Sequence, residues 1–206
     1  MAQPIASPQI DRVITAMRAH TGVRDVQAKA CCALGNIAAN HADNKMRIAT
    51  AGGIELVIAA MRAHADAANV QAEGCLALAN LAVNHADNKT MIATAGGIEL
   101  VTAAMRAHAG AEGVQDAGCN ALGNLAFGDN QAKIAAAGGV ELVTAAMRAH
   151  AGAEGVQEMG CFVFYWLVDH AKPAVMRSDA PALCRVATAR FPRNATIKEH
   201  AGEVLQ

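Results

Sequence analysis

The chain has 206 residues, 53% of them hydrophobic but only 3% aromatic, so its core must be built from alanine, leucine, isoleucine, valine and methionine on closely packed helices. A formal net charge of −1 argues against a nucleic-acid partner, which selects for a marked basic excess. No uninterrupted run of about 20 apolar residues is present, and Met1-Ala2-Gln3-Pro4 lacks the charged and apolar regions of a secretion signal, so the expectation is a soluble cytoplasmic protein with no membrane span.

Residues 1–7 have no counterpart elsewhere in the chain. Ser7-Pro8 then supplies a capping residue followed by proline at the first helical position. Ile10, Val13, Ile14 and Met17 carry the i, i+3, i+4, i+7 spacing of a buried helix face, and the helix closes on Met-Arg-Ala-His. The same face recurs at Ile54, Val57, Ile58 and Met61, with later copies from Ile98 and Val140. After a short link comes a longer helix, Val26 to Ala38, repeated as Val70 to Ala82, Val114 to Ala126 and Val156 to Val168. Between these pairs, the run from Asp43 to Gly53 reads as a short helix stopped by glycine, and it returns from Asp87 and from Asp129.

Measured on Cys31, Cys75, Cys119 and Cys161, the period is 44, 44 and 42 residues, the two-residue shortening falling where Phe127-Gly128 replaces Val83-Asn84-His85-Ala86. A repeat of this length cannot bury its own apolar face and must stack on its neighbours. The expected architecture is therefore one all-α superhelical domain over 1–206. It divides into a partial unit at 8–40, three-helix units at 41–84, 85–128 and 129–170, and a degenerate unit or cap at 171–206, where Pro173, Pro181 and Pro192 interrupt the pattern.

In the copy at Val70, the residues Val70, Gly74, Cys75, Leu78, Leu81 and Ala82 form an apolar stripe, and Asn80 lies off it. The positions equivalent to Asn80 are Asn36, Asn124 and Trp166. Repeat-equivalent cysteines roughly 8–10 Å apart are too distant for disulfides, so free thiols are expected. His20, His64, His108 and His150 form a row with the same wide spacing, which one metal ion cannot collect, and no cofactor is expected. The row of Arg18, Arg62, Arg106 and Arg148 reads as a solvated helix face.

A short helix, a Gly-Gly break, a second helix and a long third helix of the form Val-Gln-x-x-Gly-Cys-x-Ala-Leu-x-Asn-Leu-Ala together resemble the armadillo repeat. The resemblance implies a right-handed solenoid of three-helix repeats whose third helices line a concave groove. It further implies that Asn36, Asn80 and Asn124 hydrogen-bond the backbone of an extended bound peptide. Import adaptors of that family carry tryptophan four residues before each asparagine. Cys32, Leu76, Asn120 and Phe162 stand there instead, so the likeness is to the general binding scaffold.

The implied function is a non-enzymatic scaffold for an extended peptide or partner protein, with peptide-binding residues Asn36, Asn80, Asn120, Asn124, Phe162 and Trp166. Three asparagines would span roughly 20 Å, about six residues of extended chain at ~3.3 Å each. The alternative for the ladder is structural, each amide bonding the backbone of a neighbouring repeat. Phe162 and Trp166 are four apart and share a helix face, either as an anchor pocket for a partner or as core beneath residues 171–206. An architectural or self-association segment of a larger protein, using the exposed C-terminal end and this cluster to meet another domain or a second copy in a homo-oligomer, is the other functional reading.

Overall fold

The structure, a computed structural model, describes residues 7–206, with side chains from residue 8 onward. Among these there are thirteen helices and no strand. The first pair is α1 (Ser7–Ala19) and α2 (Arg24–Ala38), followed by the triplet α3 (Ala42–Thr50), α4 (Gly53–Ala63) and α5 (Ala68–Ala82). The next two triplets are α6 (Ala86–Thr94), α7 (Gly97–Ala107), α8 (Glu112–Leu125) and then α9 (Asn130–Ala136), α10 (Gly139–Ala149), α11 (Glu154–Arg177). The chain closes with α12 (Ala180–Arg190) and α13 (Ala195–Val204). The result is an all-α armadillo-type solenoid. The expected cap at Ser7 rests on a side chain outside the described residues.

Each triplet is punctuated by two glycines with different duties. Gly52, Gly96 and Gly138 sit at φ of +81°, +81° and +79°, the left-handed region in which a side chain is strained. Gly53, Gly97 and Gly139 follow with ordinary φ, but a Cβ there would lie 2.4–2.6 Å from the Cγ2 of Ile48, Ile92 or Ile134. The first glycine turns the chain and the second lets the next helix start against the last isoleucine. Between triplets the turn again uses a left-handed residue, Asn40, Asn84 or Gly128.

The glycines inside the long helices mark close approach, as their recurrence predicts. A Cβ at Gly74, Gly118 or Gly160 would fall 2.4–2.5 Å from the nearest side-chain atom of Met61, Met105 or Met147. All three methionines are fully buried in a continuous core that runs from Ile10 to Val204. The most extensive helix contacts are those of α2 with α5, α5 with α8 and α8 with α11, so the third helices form the spine of the stack.

Side-chain donors reaching backbone carbonyls hold the units in register. The buried Gln71 amide donates to the Met61 carbonyl at 2.9 Å and the His64 carbonyl at 2.8 Å, and Gln27, Gln115 and Gln157 repeat this. Asn44 and Asn88 likewise donate to the carbonyls of Ile37 and Leu81, each at 2.9 Å. The arginine row is more than a solvated face. Arg18, Arg62 and Arg106 donate to the carbonyls of Ala51, Ala95 and Ala137 at 3.1, 2.9 and 2.5 Å, satisfying the C-terminal end of the next unit's first helix. Arg148, at the corresponding place, pairs with Asp179, just beyond the end of the part of α11 that follows its bend.

The histidine row does the same work in the opposite direction along the stack. His64, His108 and His150 place Nε2 at 2.8, 2.8 and 2.9 Å from the carbonyls of Thr21, Ala65 and Ala109 in the preceding unit. A carbonyl only accepts, so each Nε2 carries the proton.

At the C-terminal end, α11 bends at Ala171 (φ −124°, ψ 26°), two residues before Pro173, whose ring cannot continue the helix ladder. Helix α13 then packs along α11 as one third helix packs on another, burying Ile197, Ala201 and Val204. Asn194 fixes this cap: its Oδ1 accepts from the Ile197 amide at 2.9 Å, while its Nδ2 donates to Glu154 and Glu158 at 3.0 and 2.7 Å.

Candidate binding face

Residues four apart on a helix share a face. On the third helices this gives four parallel stripes: Arg24, Ala28, Cys32, Asn36 on α2; Ala68, Ala72, Leu76, Asn80 on α5; Glu112, Asp116, Asn120, Asn124 on α8; and Glu154, Glu158, Phe162, Trp166 on α11. The stripes follow one another because the helices stack. Gly35 brings α2 so near α5 that its Cβ would lie 3.2 Å from the Ala77 Cα and 3.5 Å from the Asn80 Nδ2.

The asparagines are all solvent-accessible, Asn36 exposed and Asn80, Asn120 and Asn124 half-buried. Among the described residues, none of them bonds the backbone of a neighbouring unit. Asn36 makes one weak contact, 3.6 Å to the Cys32 sulfur. Asn124 turns inward along its own helix, its Nδ2 donating to the Asn120 side-chain oxygen at 2.7 Å and to the Asn120 carbonyl at 3.0 Å. Asn80 has no side-chain hydrogen-bond partner among the described residues. The structural bonding considered for these amides is carried elsewhere, by Gln27, Gln71, Gln115 and Gln157 and by Asn44, Asn88 and Asn130. Sequence reading missed that division. The constant Gln after each Val of the long helix was its available signal.

Phe162 and Trp166 come together edge to face, with ring centroids 6.3 Å apart. Phe162 also lies over Gly123, where a Cβ would sit 2.3 Å from its Cδ1, and tilts against His200 of α13 at 5.1 Å. Tyr165 meets the other side of this group, 5.1 Å from His200 and 5.2 Å from Trp166. The cap thus covers part of the cluster, while Phe162, Tyr165 and Trp166 keep half-buried edges. Trp166 Nε1 and His200 Nδ1 are buried with no hydrogen-bond partner among the described residues. Burial lowers the His200 pKa, outweighing the opposite pull of Glu199 and Glu158.

Electrostatically the face is uneven. Arg24 pairs with Asp66 at 2.8 Å near the first stripe. The third and fourth stripes carry four carboxylates, and Asp116, half-buried among them, has its pKa raised by burial and then by Glu158 and Glu112. Among the described residues no group of His, Cys, Asp and Glu is arranged to hold a metal ion. All six cysteines are free thiols. Burial pushes Cys31 and Cys75 up to about 12 and raises Cys32 and Cys119, opposite in direction to an activated nucleophile.

A family model described as the LRRK2 ARM repeat matches residues 53–205, most of the chain. The chain belongs to the LRRK2 ARM repeat family. As an armadillo-type solenoid it has the architecture of a protein-interaction scaffold, a class that is typically non-enzymatic. Crystal structures of three engineered proteins from the Northeast Structural Genomics Consortium share the fold. The first is 22% identical with a TM-score of 0.80, covering 95% of this chain and 77% of its own. The second is 20% identical with a TM-score of 0.81, covering 95% and 79%. A third, 24% identical with a TM-score of 0.75, covers 94% of this chain and 46% of its own. No curated protein matches the chain. Among the described residues no helix is long and apolar enough to cross a membrane.

Proposed function

We propose that this ARM solenoid is a non-enzymatic, cytoplasmic scaffold that holds an extended peptide segment of a partner protein across α2, α5, α8 and α11, without a cofactor. The observation that carries the reading is the spare hydrogen-bonding capacity of the ladder. Asn80 is unpartnered among the described residues, Asn36 touches only a thiol at 3.6 Å, and Asn124 bonds only Asn120. A carboxamide both donates and accepts, so a row of them pairs with successive peptide units whatever the side chains. Phe162 and Trp166, at the far end, offer apolar edges to a partner side chain. Self-association through the aromatic cluster has less surface to work with, since His200 lies against both Phe162 and Tyr165.

The test is selection of an extended-peptide library on the purified chain, repeated with the Asn80→Ala/Asn124→Ala double variant, with helicity and melting recorded in parallel. Two lost hydrogen bonds of about 0.5–1.5 kcal/mol each correspond to binding weaker by about 5- to 150-fold, with melting nearly unchanged. Selected peptides that bind the variant equally well refute the reading. So does a variant that no longer folds, because the ladder is then structural.

A further inference from the structure

The fifth residue of the second helix in each unit is Val57, Val101 and Val143, each fully buried. At the corresponding place in α12, counted from Ala180, stands Cys184, also fully buried. The long helices carry a buried cysteine in every unit, Cys31, Cys75, Cys119 and Cys161. At the last junction alone, then, a thiol replaces the valine beside the cysteine row, and the sulfurs of Cys161 and Cys184 come to 3.7 Å. This is a contact between two thiols on different helices, one on the spine and one on the cap.

We propose that Cys161 and Cys184 are a disulfide-forming pair that latches the cap helices α12 and α13 onto α11. The oxidant is a hydroperoxide. When α12 lifts and water enters, one thiolate attacks the peroxide oxygen, becoming a sulfenic acid as the O–O bond breaks and water leaves. The second thiolate then displaces the sulfenic oxygen as a second water. Two thiols and one hydrogen peroxide give one disulfide and two waters, two electrons passing from sulfur to oxygen. In the closed state the contact with Cys184 and then burial raise the Cys161 pKa and keep the thiol protonated, so the rate follows opening of the cap. The bond closes the segment that holds the Ala171 bend, Pro173 and Asp179, the partner of Arg148. Because α13 supplies His200 to the aromatic cluster, the latch also fixes the cover over Phe162 and Tyr165.

The experiment treats the intact purified chain with hydrogen peroxide under native conditions, followed by intact mass, non-reducing peptide mapping and hydrogen exchange. The controls are Cys184→Val, which installs the residue of the other units, and Cys32→Ser, which removes the most accessible thiol. The expected result is a loss of about 2 Da, a 161–184 cross-linked peptide absent from Cys184→Val and retained in Cys32→Ser. Slower amide exchange in α12 and α13 and a melting temperature raised by roughly 5–10 °C accompany it. Oxidation that maps to other cysteines, or a 161–184 bond that leaves exchange in the cap unchanged, overturns the proposal. So does a chain whose thiols all survive conditions that oxidise a control dithiol.

Discussion

Replacing Gln71 with leucine isolates the polar ladder that registers one helix on the next. The side chain is 1% exposed, and its Nε2 spans the carbonyls of Met61 and His64 at 2.9 and 2.8 Å. The Met61 carbonyl belongs to the last turn of α4, where in-helix donors run out, so it loses its bonding partner. His64 still accepts from the Ala67 amide at 3.0 Å and loses less. One unsatisfied buried acceptor costs about 1–3 kcal/mol and one lost secondary bond about 0.5–1, against which leucine burial returns roughly 1 kcal/mol. The net cost is about 2 kcal/mol, a fall of roughly 4–8 °C in melting temperature for a chain of this size. Thermal and urea unfolding by circular dichroism measure it, with Asn80→Leu alongside as a polar third-helix position that has no partner to lose. Equal effects at the two sites, or a Gln71→Leu change under about 0.5 kcal/mol, refute the assignment of structural and free amides.

The two kinds of glycine separate under alanine substitution. Gly97→Ala places a methyl 2.8 Å from the Ile92 carbonyl oxygen, a backbone atom, and should destabilise by about 1–3 kcal/mol, whereas Gly118→Ala meets side-chain rather than backbone atoms, those of the buried Met105, and gains helix propensity, so it should cost less. A denaturant titration that reverses this order sinks the argument. His200 is held neutral by burial, so its folded pKa lies below the unfolded value. The folded state then takes up fewer protons than the unfolded one, and the stability from a neutral His200 is present above the unfolded value of about 6.5 and lost as pH falls from there through the lower folded value. Unfolding free energies between pH 7.5 and 5 should fall less steeply in His200→Phe. Identical slopes would remove His200 as a contributor.

The fold was legible because the repeat states the same thing several times. Three Gly-Gly breaks and four Met-Arg-Ala-His endings each fix a helix boundary, the recurring cysteine marks the middle of each long helix, and the structure places them as expected. What periodicity conceals is the partner of a polar side chain. Arg62, His64, Gln71, Asn80 and Asn88 all recur with the period, yet Arg62 and His64 reach backbone in opposite directions along the stack, Gln71 folds back within its unit, and Asn80 reaches nothing among the described residues. Those differences depend on which carbonyl lies at a helix end facing the side chain, a property of stacking geometry that spacing does not encode. The covering of Phe162 by His200 was likewise hidden, because α13 carries only a faint copy of the repeat and His200 stands outside every row.

Apart from the exposed Arg24–Asp66 pair and the side-chain pairs Arg148–Asp179 and Asn194 with Glu154 and Glu158 at the cap, the donors that join one unit to the next end on main chain, and every unit offers the same main chain, so these junctions do not distinguish their neighbours. Excising residues 41–84 would bring Arg18 to the Ala95 carbonyl and His108 to the Thr21 carbonyl, while Lys45 and its acceptor at Val83 depart together. Excising 85–128 is different in one atom. It sets Ala79, where the chain otherwise has Gly123, beneath the ring of Phe162, at a place whose Cβ would lie 2.3 Å from that ring. The solenoid is therefore a ruler that can be shortened at its middle mark for the loss of one exposed ion pair, Arg24 with Asp66, and, for want of a single methyl's clearance, not at the mark beside its end.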